Sequence, residues 1–268
     1  MDRAIPFLQV DAFASRAFEG NPAAVVRLAE AADDDWMHSV AAEMNLSETA
    51  FVHAAGDGEW RLRWFAPTKE VKLCGHATLA SAHALWERGE LRADEPARFD
   101  TLSGRLECRR RGEDIAMDFP AIPVERSVPS TELRALLGDI HLMGAARSSM
   151  GWIAEVESES VLRALRPGMS LVVAAGPGDV GLIVTAPGGP GTDFCSRFFA
   201  PQSGVDEDPV TGSAHCALAV YWSSKLGRMQ MTGFQASRRG GRVGMLLQGA
   251  RVELSGQAVT VLEGRLRA

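Results

Sequence analysis

Lysine is nearly absent from this chain. Among its 28 basic residues only Lys69, Lys72 and Lys225 are lysines. Pyridoxal and other Schiff-base chemistry needs a lysine amine, so the chain offers few places for it. Cysteine is sparse as well, and Cys74, Cys108, Cys195 and Cys216 form no CxxC pair. A chain of 268 residues is too long to depend on a disulfide scaffold, and the four thiols read as reduced, in a cytoplasmic protein. No apolar run approaches the ~20 residues of a membrane span. The N-terminal "MDRAIPFLQVDAF" has no signal-peptide core. These absences predict a protein without a membrane partner. Excess positive charge is missing too: the net charge of −6 argues against a nucleic-acid platform. The six histidines show no HExxH or HxH spacing, so no metal is expected.

What is present is apolar residues, 46% of the chain, and a repeat. "RWFAPTKEV" (63–71) lines up with "RFFAPQSGV" (197–205), and "FVHAAGDG" (51–58) with "IVTAPGGP" (183–190). Gly75-His76-Ala77 lines up with Gly212-Ser213-Ala214, and Gly104-Arg105-Leu106 with Gly241-Arg242-Val243. The four matches are collinear, which chance does not readily produce, so the chain reads as two homologous halves. Each half alternates strand-like segments around one helix that is apolar on nearly every side, "ATLASAHALWER" in the first and "AHCALAVYWSSKLG" in the second. A helix buried all round needs a sheet curled about it. The expected fold class is α+β: two pseudo-symmetric halves, each a barrel-like curved sheet wrapped around a central helix. The proline-rich stretch 119–130 suggests halves of 1–122 and 123–257, with the last strand, about 258–268, a candidate to pack on the first half. "DDDWMHSVAAEM" reads as a surface helix, and "SLVVAA" (170–175) as a strand. "VVAAGPGDVG" (172–181) contains GxGxxG, but a strand follows where a dinucleotide fold needs a helix, so it reads as a hairpin loop.

Pseudo-symmetry would set the loops that open the two central helices face to face across a cleft. Those loops are Leu73-Cys74-Gly75-His76 and Asp208-Pro209-Val210-Thr211-Gly212-Ser213. A helix start carries unpaired N–H groups and partial positive charge, suited to an anion such as a carboxylate. Ordinary capping with nothing bound is the bland alternative. His76, at the first helix start, is a candidate proton carrier kept neutral by the helix end. Glu48 leads into an apolar strand and is a candidate general acid/base. Asp208 stands nearest the second helix, whereas Asp206 and Glu207 read as loop charges. The repeat maps Glu48 to Val180 and His76 to Ser213, so proton chemistry is expected on one side only. Cys74 maps to Thr211, which disfavours a symmetric two-thiol racemase. Asn21, Phe65 and Met150 are candidate pocket-shaping residues.

"NLSETAFV", "CGHATLASAH", "RFFAP" and "DEDPVTGSAHCAL" closely resemble the signature segments of the phenazine-biosynthesis PhzF-like family. The likeness runs from "VDAFASRAFEGNPAAVV" to "QASRRGGRVGM". It implies a diaminopimelate epimerase-like fold, a homodimer, and an isomerase that needs no cofactor or metal and acts on a dihydro-hydroxyanthranilate-like substrate. Glu48 would match the residue that moves the proton. His76 and Asp208 would match its partners. Gly212 and Ser213, with Gly75 at the equivalent helix start, would hold the substrate carboxylate. Three alternatives stay open: an epimerase, racemase or dehydratase of an amino or hydroxy acid, a non-catalytic small-molecule binding protein, and, more distantly, a dinucleotide enzyme.

Overall fold

The computed structural model describes residues 4–138, 140–174 and 181–267. In chain order the first ten elements are β1 (Ala4–Ala12), β2 (Asn21–Arg27), α1 (Asp34–Met44), β3 (Glu48–Gly56), β4 (Glu59–Ala66), β5 (Lys69–Val71), α2 (Gly75–Glu87), β6 (Ala97–Thr101), β7 (Gly104–Arg111) and β8 (Asp114–Pro120). There follow β9 (Glu125–Ser127), α3 (Thr131–Leu137), β10 (Leu142–Ser148), β11 (Gly151–Val156), α4 (Glu159–Ala164), α5 (Met169–Ala174), β12 (Gly181–Pro187), β13 (Phe194–Ala200) and β14 (Val205–Asp208). The chain closes with α6 (Gly212–Leu226), β15 (Gln230–Gln235), β16 (Gly241–Gln248), β17 (Arg251–Gly256) and β18 (Ala258–Arg267). Two compact units result, Met1–Asp118 with Ser255–Ala268, and Phe119–Leu254.

In the first unit the strands run in the order β18-β1-β2-β3-β4-β6-β7-β8. The neighbours are antiparallel except β2–β3 and β4–β6, which are parallel. Helix α2 touches strands from β18 at one end of this row to β7 near the other, so the sheet curls round it. The sequence allows this because Ala77, Ala80, Ala82 and Ala84 keep the helix thin, and they are buried with Leu79, Leu85 and Trp86. Helix α1 lies on the other side of the sheet. Asp33 caps it by accepting from the N–H groups of Asp35 and Trp36, and Met37, Val40 and Ala41 pack with Phe51 and Phe65. Phe65 is therefore core, not a pocket wall.

The second unit repeats the pairing rule. The order β9-β10-β11-β12-β13-β15-β16 is again antiparallel except at two places, β11–β12 and β13–β15. Helix α6 is the central helix, with Ala214, Ala217 and Ala219 buried along it. Here α3, α4 and α5 take the place of α1, and Leu133, Leu136, Leu162 and Val172 pack as one cluster with Leu182 and Val184 of the sheet. The segment read as a strand at 170–175 is helical through Ala174. A short apolar run does not separate helix from strand by its pattern, and here the Leu171 and Val172 N–H groups both close helical turns on the Gly168 carbonyl. Of the GxGxxG segment, residues 175–180 lie outside the described residues, and Gly181 opens a strand.

Strand register refines the repeat. Phe65 pairs with Thr49, and its repeat mate Phe199 pairs with Leu182, so the position equivalent to Glu48 is Gly181. Val180, the mate expected from sequence, lies outside the described residues. Trp64 pairs with Val71 and Phe198 with Asp208, so Asp208 stands where the first half has valine.

Candidate active site

Three element starts build a polar cluster in the first unit. Strands β2 and β3 are parallel, with Ala23 beside Glu48, so Asn21 and Glu48 lie at the same end of the sheet. Gly20 has φ +65°, and a Cβ there would lie 2.1 Å from the Ala12 carbonyl oxygen. Only glycine lets the chain double back so tightly into Asn21. Helix α2 packs on β1, β2 and β3 and contributes Cys74 and His76 from its start.

His76 is buried and is the hub. Its Nε2 lies 3.3 Å from Oε2 of Glu48. The approach is off the line of a hydrogen bond, and Nε2 has no hydrogen-bond partner among the described residues. On the other nitrogen, Nδ1 faces Nδ2 of Asn21 at 3.3 Å and Sγ of Cys74 at 3.5 Å. Burial pulls the His76 pKa down to about 3, so the imidazole is neutral at pH 7. Desolvation, not the helix end named from sequence, is the cause. Glu48 remains partly open, with its side chain 21% exposed.

Glu48, Cys74 and His76 offer donor atoms within 4.8 Å of one another. The thiol faces one ring nitrogen and the carboxylate the other. An ion bound to a single imidazole nitrogen would have to draw one of them round the ring, so the set fits a metal chelate poorly. The ring can instead exchange a hydrogen bond through each of its two nitrogens.

The second unit gathers a different set. Asp208 ends β14, and its Oδ2 accepts a hydrogen bond from the Thr211 hydroxyl. Gln235, fully buried, donates to the Asp208 carbonyl at 2.7 Å and accepts from the Thr211 N–H at 2.9 Å. Ser237 donates to the Pro209 carbonyl at 2.8 Å. The loop before α6 is thus tied by side chains from the end of β15 and just beyond. Glu207 is not a simple loop charge. It makes a two-pronged ion pair with Arg197, at 2.7 and 2.8 Å, and Arg197 also donates to the Leu162 and Leu165 carbonyls. The first half has the same clamp, Arg63 on Glu70 at 2.7 and 2.8 Å. Asp206 is exposed, as expected of a loop charge.

Gly75 opens α2, and Gly212 and Ser213 open α6. Neither Cys74 nor Thr211 caps its helix with a side chain, whereas Asp33, Ser130 and Ser158 cap α1, α3 and α4. The two central helices therefore differ from α1, α3 and α4 in having no side-chain cap on their first turn. Gln235 is a polar residue that sequence reasoning did not find, and Asn21, named there as a pocket-shaping candidate, was given no partner. The signal for Asn21 was a Gly-Asn-Pro step opening a strand. Gln235 carried no signal, because its partners lie 24 and 27 positions away along the chain. Among the described residues no helix is long and apolar enough to cross a membrane.

The sequence model of the phenazine biosynthesis-like protein family, PhzC-PhzF, matches residues 10–264. A protein named as an uncharacterized isomerase in Halalkalibacterium halodurans is 49% identical, over 97% of this chain and 98% of its own. Another so named in Pseudomonas aeruginosa is 47% identical, over 98% of both chains. A crystal structure of a PhzF-family phenazine biosynthesis protein from Enterococcus faecalis superposes with a TM-score of 0.93 at 36% identity, over 99% of this chain and 100% of that one. A hydroxyproline epimerase from Agrobacterium vitis, 13% identical, superposes with a TM-score of 0.63 over 100% of this chain and 95% of that one, which shows a shared fold alone. With two repeated units, each curled on an uncapped central helix, and a family match over nearly all its length, the chain belongs to the PhzC-PhzF phenazine biosynthesis-like family and is an isomerase.

Proposed function

We propose that the protein moves a proton within a small, carboxylate-bearing, dihydro-hydroxyanthranilate-like substrate, with no cofactor, and that Glu48 is the general acid/base. The carrying observation is the pair formed by Glu48 and His76, a partly open carboxylate 3.3 Å from a buried imidazole nitrogen. A base flanked by a neutral ring can take a proton from carbon and return it without any redox partner. Asp208 is the proposed partner that orients the substrate's polar groups, and Gly75, Gly212 and Ser213 are the proposed carboxylate donors. Two uncapped helix starts support that role. The working form is proposed to be a homodimer, which light scattering of the purified protein would check.

The test is turnover of candidate dihydroaromatic amino acids in deuterated water. Glu48→Gln is expected to lower turnover by about 10²- to 10⁴-fold, the usual worth of a general acid/base. An unchanged rate in that variant would remove Glu48 from the chemistry. A second reading, an epimerase of an amino or hydroxy acid, is favoured by the fold shared with the hydroxyproline epimerase. Deuterium incorporated at the substrate α-carbon with inversion would select it.

A further inference from the structure

We propose that His76 acts as a neutral hydrogen-bond donor to a substrate oxygen, its proton held on Nε2 by Asn21 and Cys74, and does not carry protons itself. The role rests on the reading of Glu48 as the base, and the tautomer stands without it. The surroundings of Nδ1 set the tautomer. Its neighbours are the amide Nδ2 of Asn21 at 3.3 Å and the thiol of Cys74 at 3.5 Å. An amide NH₂ only donates, and a thiol can donate S–H. A ring nitrogen that faces a donor must be the bare one, so the single proton of the neutral ring sits on Nε2.

Nε2–H is then a buried donor. Its nearest carboxylate oxygen, Oε2 of Glu48, stands 3.3 Å away but out of line, and Nε2 makes no hydrogen bond to the described residues. A buried donor left without an acceptor is destabilising, so the site favours a ligand that supplies one. An acceptor oxygen held by Nε2–H would place the neighbouring carbon within reach of Glu48. That names the substrate class: a carbon acid whose C–H bond is conjugated to a carbonyl or carboxyl oxygen. Glu48 takes the proton, the C–H electron pair moves into the conjugated system and onto that oxygen, and Nε2–H stabilises the charge. When Glu48 returns the proton to the same or a conjugated carbon, the pair returns with it. No oxidant, reductant or cofactor enters the balance. Burial keeps the ring from becoming an imidazolium at neutral pH, as suits a donor to an enolate-like oxygen. Asn21 and Cys74 are positioning residues, since they act through the ring.

The tautomer can be read without any substrate, by long-range ¹⁵N–¹H correlation of histidine-labelled protein at pH 7, with the His76 signal assigned by its loss in His76→Gln. The expected spectrum has a proton on Nε2 and a bare Nδ1. Asn21→Asp, which swaps the donor for an acceptor, is expected to move the proton to Nδ1. If that variant fails to fold, the wild-type spectrum still decides. A proton on Nδ1 in the wild type, as a reversed Asn21 amide would give, or an imidazolium, would overturn the proposal. Turnover then separates donor from proton carrier. His76→Gln keeps an N–H donor without a basic nitrogen and should lose less than about tenfold, while His76→Ala should lose at least about 100-fold, the span expected for one such donor. Equal losses in both would overturn the donor role while leaving Glu48 as base, which Glu48→Gln tests separately.

Discussion

The two halves kept their framework and diverged at their acids. Arg63 clamps Glu70 in the first half and Arg197 clamps Glu207 in the second, at equivalent strand positions and with the same two distances. Next to that clamp the first half has Val71 and the second Asp208. At the start of the third strand the first half has Glu48 and the second Gly181. The ion pair builds the sheet and the helix entry in both units, so duplication preserved it. The acid at each unequal position serves one half only. Packing enforces part of this, because a Cβ at Gly181 would fall 2.5 Å from the Phe198 ring and 2.8 Å from the Phe199 carbonyl oxygen. A carboxylate cannot be restored there without rebuilding β13.

The comparison breaks most directly at the acids. Glu48→Gln is predicted to cost about 10²- to 10⁴-fold in turnover. Asp208→Asn should cost less in turnover and raise KM, and exposed Asp206→Asn should change neither. Steady-state kinetics on a confirmed substrate reads all three, and equal losses at Glu48 and Asp206 would erase the distinction between site acids and loop acids.

Each unit buries one histidine of its central helix, and their linkage to stability is the next largest effect. Burial pulls His76 down to about 3 and His215 to about 4. In the unfolded chain both titrate near the ordinary 6.5. Below that value the unfolded state takes up protons that the folded state refuses, so stability falls as pH drops from 6.5 towards the folded values. The slope is about 1.4 kcal/mol per pH unit for each ring. Above pH 6.5 neither contributes. Urea midpoints at pH 7.5, 6, 5 and 4.5 check this, and His215→Gln should remove the part of the slope that belongs to that ring. A flat profile in the parent protein would contradict the neutral burial of both.

The clamps should differ in strength although they match in geometry. Arg197→Met strands Glu207 and takes one donor each from the Leu162 and Leu165 carbonyls, and a buried pair broken on one side costs about 3–5 kcal/mol. Arg63→Met loses Glu70 and an exposed Asp34, in a more open setting worth about 1 kcal/mol. Thermal or urea denaturation compares the two, and equal losses would mean that the Arg197 carbonyl contacts add nothing. Gly181→Ala should fall between the two clamps, since crowding against Phe198 and Phe199 costs about 1–3 kcal/mol. Truncation at the equivalent position of the first half, Glu48→Ala, should leave the melting temperature nearly unmoved while abolishing turnover.

Much of this was legible in the sequence because it is local or periodic. The alternation of "WRLRWF" gave β4, and the all-round apolar "ATLASAHALWER" announced a helix that only a curled sheet could cover. The repeat was visible as matched short segments. It was misaligned near Val71 because the turn after Ala200 is longer than the one after Ala66 and β14 adds a bulge, both of which strand pairing reveals. Glu207 read as a loop charge since its partner lies ten residues back on an adjacent strand. Asn21 was named as a pocket-shaping candidate but without its partner, because its contact with His76 spans 55 positions.

The sequence by itself determined the two-fold plan, the buried central helices and the short roster of acids and histidine able to move a proton. Those follow from hydrophobic period, turn residues and side-chain chemistry, which each short segment carries within itself. Only the tertiary structure decided which nitrogen of His76 faces Glu48, that burial keeps that ring neutral, and that Gly181 has no room for a side chain. Such properties arise from atoms brought within a few ångströms by parallel strands and a returning helix, and distance along the chain does not encode them.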